Sequence, residues 1–138
     1  MAAEQTLILA KPDAMRRSLG GEILARFERR GFVLRAARLL RVDRGHAEQH
    51  YAEHSEKPFF DELVAFITSG PTLAFVLEGE GVIATARTTI GATNPANAEP
   101  GSLRGDLASS MPDNLVHGSD SAESAQREIA LWFPDGLV

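Results

Sequence analysis

The sequence predicts an α+β fold, a small antiparallel sheet covered by helices. Three observations carry this expectation. Four short apolar or alternating runs read as strands, and stretches with helical spacing separate them. The elements do not follow the regular pattern of a doubly wound sheet, and no Gly-x-Gly-x-x-Gly follows a strand. At 138 residues the chain can bury one sizeable core but not two, so residues 1–138 read as a single domain.

Thr6 to Ala10 reads as a short buried strand, and Pro12 cannot continue its ladder. Gly20 to Arg30 carries Ile23, Leu24 and Phe27 at helical spacing and is ended by Gly31. From Phe32 to Val42 the even positions are largely apolar (Phe32, Leu34, Ala36, Leu40, Val42), the period of a half-buried strand. Asp43 then caps a helix that runs to about His54. Leu63, Phe66 and Ile67 mark a further helical face, stopped by Gly70 and Pro71. Thr72 to Leu77 is a strand, Glu78-Gly79-Glu80-Gly81 a turn, and Val82 to Ile90 a helix ended by Gly91. Between Gly91 and Asn114 the residues Pro95, Pro100, Gly101, Gly105 and Pro112 break any periodicity. A loop of that length inside a compact domain is functional or disordered. Asn114 to His117 is the last strand, and the final helix carries Ala125, Ile129, Trp132 and Phe133 on one face.

Composition narrows the class of function. There is no long apolar run; Leu73 to Leu77 is far too short to span a bilayer. Met1 to Gln5 lacks a basic region followed by an apolar stretch, so no secretory signal is expected. The absence of cysteine excludes disulfides and thiolate metal sites and fits a cytoplasmic protein. A net charge of −5 argues against nucleic acid or an anionic membrane as the main partner, while local charge can still hold a small anion. The arginines Arg26, Arg29, Arg30, Arg35 and Arg38 have Glu22 and Glu28 interleaved, which reads as a mixed solvated surface.

The segment Asn114-Leu115-Val116-His117-Gly118-Ser119-Asp120-Ser121 is the most informative. It sets a histidine at the end of an apolar run, before a glycine that lets backbone approach a ligand closely. Asp120 with Glu123 three residues later reads as a helix start, so free N–H groups and a positive dipole end lie nearby. A histidine in that setting is suited to accept a phosphoryl group. No Gly-x-x-x-x-Gly-Lys motif is present, so side chains must hold any phosphates; Lys11, Arg87, Thr93 and Arg104 are the candidates. The charged ones also have plain readings: Lys11 and Arg104 as solvated charges, Arg87 as a snorkelling arginine on a helix. Glu128 lies beside the apolar stripe of the last helix, either a satisfied boundary residue or a carboxylate aimed at the imidazole. His46, His50 and His54 recur every four residues, a spacing that metal ligands use. No partner acid or thiol accompanies them, and no metal site is assigned.

The His117 segment resembles the active-site signature of nucleoside diphosphate kinases. Six further blocks resemble that family in order: Leu9 to Asp13, His50 to His54, Lys57 to Phe60, Phe66 to Pro71, Ile90 to Pro95, and Pro100 to Asp106. Two positions depart from the pattern: Leu107 stands where the family usually has an aromatic residue, and Pro112-Asp113 where it often has Gly-Arg.

The resemblance implies a ferredoxin-like βαββαβ core and a nucleoside diphosphate kinase activity. His117 would take the γ-phosphate of a nucleoside triphosphate, mainly ATP, and pass it to a nucleoside diphosphate in a ping-pong cycle. Lys11 and Tyr51 would lie near the transferred group, and Arg87, Thr93 and Arg104 would hold the other phosphates. Asn114, with Lys11, would bind sugar hydroxyls, and Phe59 would stack on the base. Ser119 and Glu128 would interact and orient His117. Mg2+ would ride on the phosphates. The family also implies homo-oligomers, hexamers or tetramers. The alternatives are a nucleotide-binding regulatory module without turnover and a phosphohistidine donor to other proteins.

Overall fold

The computed structural model describes residues 3–138; Met1 and Ala2, which open the stretch read as lacking a secretory signal, lie outside the described residues. The central strand is β1 (Glu4–Ala10), flanked by β3 (Thr72–Gly79) and β4 (Val116–Gly118). β2 (Val33–Leu40) lies beyond β3, so the sheet order is β2-β3-β1-β4 and every pairing is antiparallel. The helices are α1 (Pro12–Arg16), α2 (Gly20–Arg29), α3 (Arg44–His50), α4 (Phe60–Ile67), α5 (Val82–Ile90), α6 (Leu103–Leu107) and α7 (Ala122–Trp132). With α1–α2 and α5 as the two crossovers, this is the expected ferredoxin-like βαββαβ core. The pair α3–α4 is inserted between β2 and β3, and α7 follows β4.

Strand period divides the core into two layers. On β1, Ile8 and Ala10 point to one side, where they pack with Ile23 and Phe27 of α2 and Ala86 and Ile90 of α5. Leu7 and Leu9 point to the other, with Val64 and Ile67 of α4 and Trp132 of α7. These side chains are fully or almost fully buried, the Val, Leu, Ile and Phe among them each worth roughly 1.5–3 kcal/mol of transfer free energy. The β4 register sets the site: His117 is opposite Leu9, and Gly118 is opposite Ile8. The His117 side chain therefore belongs to the α4–α7 side, while Gly118 faces α5.

Several boundaries differ from expectation. β2 is an edge strand with a register shift between Leu34 and Ala36, so it is more exposed than a half-buried strand. Asp43 does cap α3, accepting His46 N–H at 2.8 Å. That helix ends at His50, and Ala52–His54 is a separate 3-10 turn. The long segment after Gly91 is ordered by a 3-10 turn at Pro95–Asn97 and by α6. The last strand starts at Val116, because Leu115 adopts a left-handed φ of 70°. Ser121 caps α7 in place of Asp120, its hydroxyl accepting Ser124 N–H at 3.1 Å. The tail folds back, with Val138 N–H donating to Arg35 O at 2.9 Å.

Candidate active site

His117 sits where β4 meets α7. Its Nε2 lies 2.8 Å from Glu128 Oε1, and the same oxygen accepts the Ser119 hydroxyl at 2.9 Å. Ser119 is pinned in turn, its Oγ accepting Leu7 N–H and its own N–H donating to Leu7 O, both at 3.2 Å. Glu128 is buried, with its second oxygen 3.7 Å from Arg127, while the His117 side chain keeps 24% of its surface exposed. A carboxylate can only accept, so the proton of a neutral His117 resides on Nε2 and Nδ1 carries the free lone pair. Ser119 and Glu128 thus meet each other, and Glu128 meets the imidazole.

The backbone leading into His117 is held just as firmly. Asp13, at the start of α1, accepts Leu115 N–H through Oδ2 at 2.9 Å, and Lys11 N–H donates to Leu115 O at 2.9 Å. Gly118 is also tightly packed. A Cβ there would meet Ile90 Cδ1 at 2.6 Å, so the glycine serves close packing of β4 on α5.

The cationic candidates divide by environment. Arg104 is 5% exposed and is no solvated loop charge. Its guanidinium donates to Asn114 O at 3.1 Å, Gly91 O at 3.1 Å and Val116 O at 2.6 Å, which ties α6 to both flanks of the loop. Two of its five N–H groups remain for a ligand. Burial, with Arg87 nearby and Asp13 opposing, brings Arg104 down to about 10. Burial likewise brings Lys11 down to about 8, with Arg104 adding to the shift and Asp13 and Asp113 opposing it. Lys11 Nζ donates to Asn114 Oδ1, whose amide donates to Thr93 O at 2.9 Å. Arg87 reaches Gly118 O at 3.2 Å. Lys11, Arg87 and Arg104 thus form a crowded positive group whose mutual repulsion an anion would relieve.

The aromatic side of the site is equally uneven. Phe59 is 42% exposed at the start of α4, with Lys57 Nζ 5.7 Å from its ring centre and the His54 ring 5.7 Å away. An open ring of this kind suits stacking. Burial, with Glu128 and Asp13 adding negative charge, pushes the Tyr51 phenol up, so it stays a hydroxyl donor at neutral pH. A cavity of about 920 Å³ is lined partly by Arg26, Arg29, Arg30, Arg87 and Thr93. His117 is not in that lining.

The histidine repeat does not make a metal-binding helix face, because α3 stops at His50. Ligand atoms of His50, His117 and Glu128 lie within 4.8 Å of one another. However, Trp132 Nε1–H donates to His50 Nδ1 at 3.0 Å. That bond occupies one nitrogen and leaves the proton on the other, so His50 offers no free lone pair. The sequence reading left His50, Asp13, Arg127 and Trp132 without roles at the site. Asp13 and His50 both lie in blocks that carry the resemblance, which was the available signal.

A family model described as nucleoside diphosphate kinase matches residues 4–138. The chain is 57% identical over 135 residues to nucleoside diphosphate kinase 1 of Spinacia oleracea, covering 98% of this chain and 91% of that protein. It is 58% identical over 136 residues to the nucleoside diphosphate kinase of a Cyanothece species, with 98% and 91% covered. A crystal structure of a nucleoside diphosphate kinase family protein from Babesia bovis superposes with a TM-score of 0.94 at 45% identity, over 98% of this chain and 92% of that one.

Proposed function

The chain belongs to the nucleoside diphosphate kinase family, and from that premise we propose that its phosphoryl transfer runs through His117. It is a phosphotransferase that moves the γ-phosphate of a nucleoside triphosphate to a nucleoside diphosphate. The His117 Nδ1 lone pair attacks the γ-phosphorus, a P–N bond forms, and the bond to the β-phosphate oxygen breaks with release of the diphosphate. A phosphate oxygen of a second diphosphate then attacks the phosphohistidine, and the P–N bond breaks. One observation carries the assignment: Glu128 holds Nε2 at 2.8 Å and leaves Nδ1 unengaged on a partly exposed ring.

The remaining roles follow from charge and position. Lys11 and the Tyr51 hydroxyl stabilise the spread charge of the transferring group, and Arg87, Thr93 and the two spare N–H groups of Arg104 hold the other phosphates. Asn114, oriented by Lys11 and Thr93, meets sugar hydroxyls, and Phe59 stacks on the base. Ser119 and Glu128 orient the imidazole. The substrate is the magnesium complex of the nucleotide. Mg2+ takes oxygen ligands, and the described residues offer no oxygen cage beside His117, which supports magnesium carried on the phosphates.

We further propose that residues 1–138 act as one domain, in the cytoplasm, as a hexamer or tetramer. In support, the edge strand β2 leaves Val33 55% and Leu39 62% exposed, beside backbone groups able to pair with a second copy. No helix among the described residues is long and apolar enough to cross a membrane.

The test is incubation with γ-labelled ATP and magnesium, wild type beside His117→Ala. Label that is base-stable, acid-labile, absent from the variant and discharged by GDP or CDP is the expected result. Nucleotide binding without label would replace this reading with the regulatory module.

A further inference from the structure

His50, the last residue of α3, is 3% exposed, and its ring stands nearly perpendicular to that of His117 with centroids 4.8 Å apart. Behind it the fully buried Trp132 donates its indole N–H to His50 Nδ1 at 3.0 Å. An indole nitrogen can only donate, so His50 Nδ1 keeps its lone pair and the ring proton sits on Nε2. A second proton at Nδ1 would set two N–H groups against each other inside the protein.

The titratable and charged groups around His50 come from several elements: His117 of β4, Arg127 and Glu128 of α7, His46 of α3, Tyr51 beyond it, and Lys11 after β1. Burial above all, then repulsion from the cations Arg127 and Lys11 and from His117 and His46 in their protonated forms, holds the His50 imidazole well below its ordinary range.

We propose that His50 is a positioning residue for the nucleophile: locked in one tautomer by the Trp132 indole, it is the uncharged wall that keeps His117 turned with Nε2 on Glu128 and Nδ1 free. The inference rests on the reading of His117 as the phosphoryl carrier. One hydrogen bond to Glu128 leaves the His117 ring free to swing about that contact, and a second surface must block the swing. The wall must also be neutral. With the ligand atoms of all three residues within 4.8 Å, a charged His50 would compete with His117 for the Glu128 carboxylate.

Two variants separate wall from acceptor. His50→Asn keeps an acceptor for the Trp132 indole and removes the ring, whereas His50→Phe keeps a ring and removes the acceptor. Single-turnover labelling with γ-labelled ATP, ADP affinity by calorimetry and urea unfolding are measured on each. We expect phosphoenzyme formation to slow about 10–100-fold in His50→Asn, the scale on which small misplacements act, with ADP affinity unchanged. His50→Phe is expected to be the less stable variant and yet the faster one. A purely structural His50 would make rate follow stability, and that result, or wild-type labelling by His50→Asn, overturns the proposal.

A second measurement needs no variant. Nitrogen NMR of the wild type is expected to find His50 protonated on Nε2 alone across neutral pH, and protonation at Nδ1 overturns the lock. His117→Ala run alongside keeps the two readings apart. Label retained there removes the nucleophile assignment itself. Label lost there, together with a normal His50→Asn, removes only the role of His50.

Discussion

Asp13 and Leu115, 102 positions apart, are joined by a single buried hydrogen bond of 2.9 Å from the Leu115 N–H to Asp13 Oδ2. The bond supports a left-handed φ of 70° at a leucine that is 1% exposed, two residues before His117. A non-glycine residue in that conformation costs about 1–3 kcal/mol, so the surrounding contacts must over-determine it.

Asp13→Ala is expected to lose about 1–3 kcal/mol in urea unfolding, because a buried N–H is left unpaired. Phosphoenzyme formation should slow as well, since the Leu115–His117 backbone is released. Leu115→Gly relieves the strained φ but deletes a buried side chain worth about 2–5 kcal/mol, so net destabilisation is expected. A Leu115→Gly protein more stable than wild type would show that strain outweighs packing here.

Glu128→Gln should lower kcat about 10–100-fold with little change in KM, read by steady-state assay across nucleotides. The amide can turn its NH2 toward His117 Nε2, which would drive the proton to Nδ1 and occupy the nucleophilic lone pair. Ser119→Ala leaves the carboxylate in place, so a smaller loss is expected.

Lys11 gives a pH dependence with a definite sign. Its cation is present below about 8 and lost above it. The free-enzyme profile of kcat/KM should therefore fall as pH rises through that value, and Lys11→Met should lack the limb along with most of the activity. Stability runs the other way. Between about 8 and the ordinary lysine value of 10.5 the unfolded chain binds more protons than the folded one, so the contribution of this group rises with pH. Urea midpoints of wild type and Lys11→Met should converge as pH increases over that window.

Two glycines should respond differently to alanine. A Cβ at Gly105 would stand 1.9 Å from Glu99 O, a backbone atom that cannot retreat, so Gly105→Ala should displace Arg104 and weaken nucleotide binding sharply. At Gly118 the obstacle is the methyl end of Ile90 at 2.6 Å, and overpacking of that kind costs about 1–3 kcal/mol. Ile90→Val should recover part of that loss in the double variant, and strict additivity would argue against the contact.

Phe59→Ala should raise nucleotide KM roughly 5- to 150-fold, from about 1–3 kcal/mol of lost stacking, and leave kcat near wild type. The ring is 42% exposed, so thermal unfolding should barely move. An unchanged KM would remove Phe59 from the base site.

Local pattern explains what could be read early. The helix Val82–Ile90, ended by Gly91 at a φ of 97°, follows directly from apolar spacing and a terminal glycine. The strand at Thr72 and the Asp43 cap are legible for the same reason. At His117 the residue types were legible and the conformation was not. Leu115 leaves the strand because of Asp13, and Arg104 is buried because carbonyls of Gly91, Asn114 and Val116 converge on it. The i, i+4 spacing of the histidines does not put all three on one helix, since the break at Tyr51 separates His54 from His46 and His50.

By itself the sequence determined the four strands and the longer helices, which faces of them are apolar, and the residue types suited to a phosphoryl carrier, because periods, caps and breakers act over a few residues. Tertiary structure alone decided that Glu128 takes His117 Nε2, that Trp132 locks His50 behind it, and that Asp13 props the backbone at Leu115. Those contacts depend on the register of β4 against β1 and on how α3 and α7 meet beside it, and no short-range pattern encodes either.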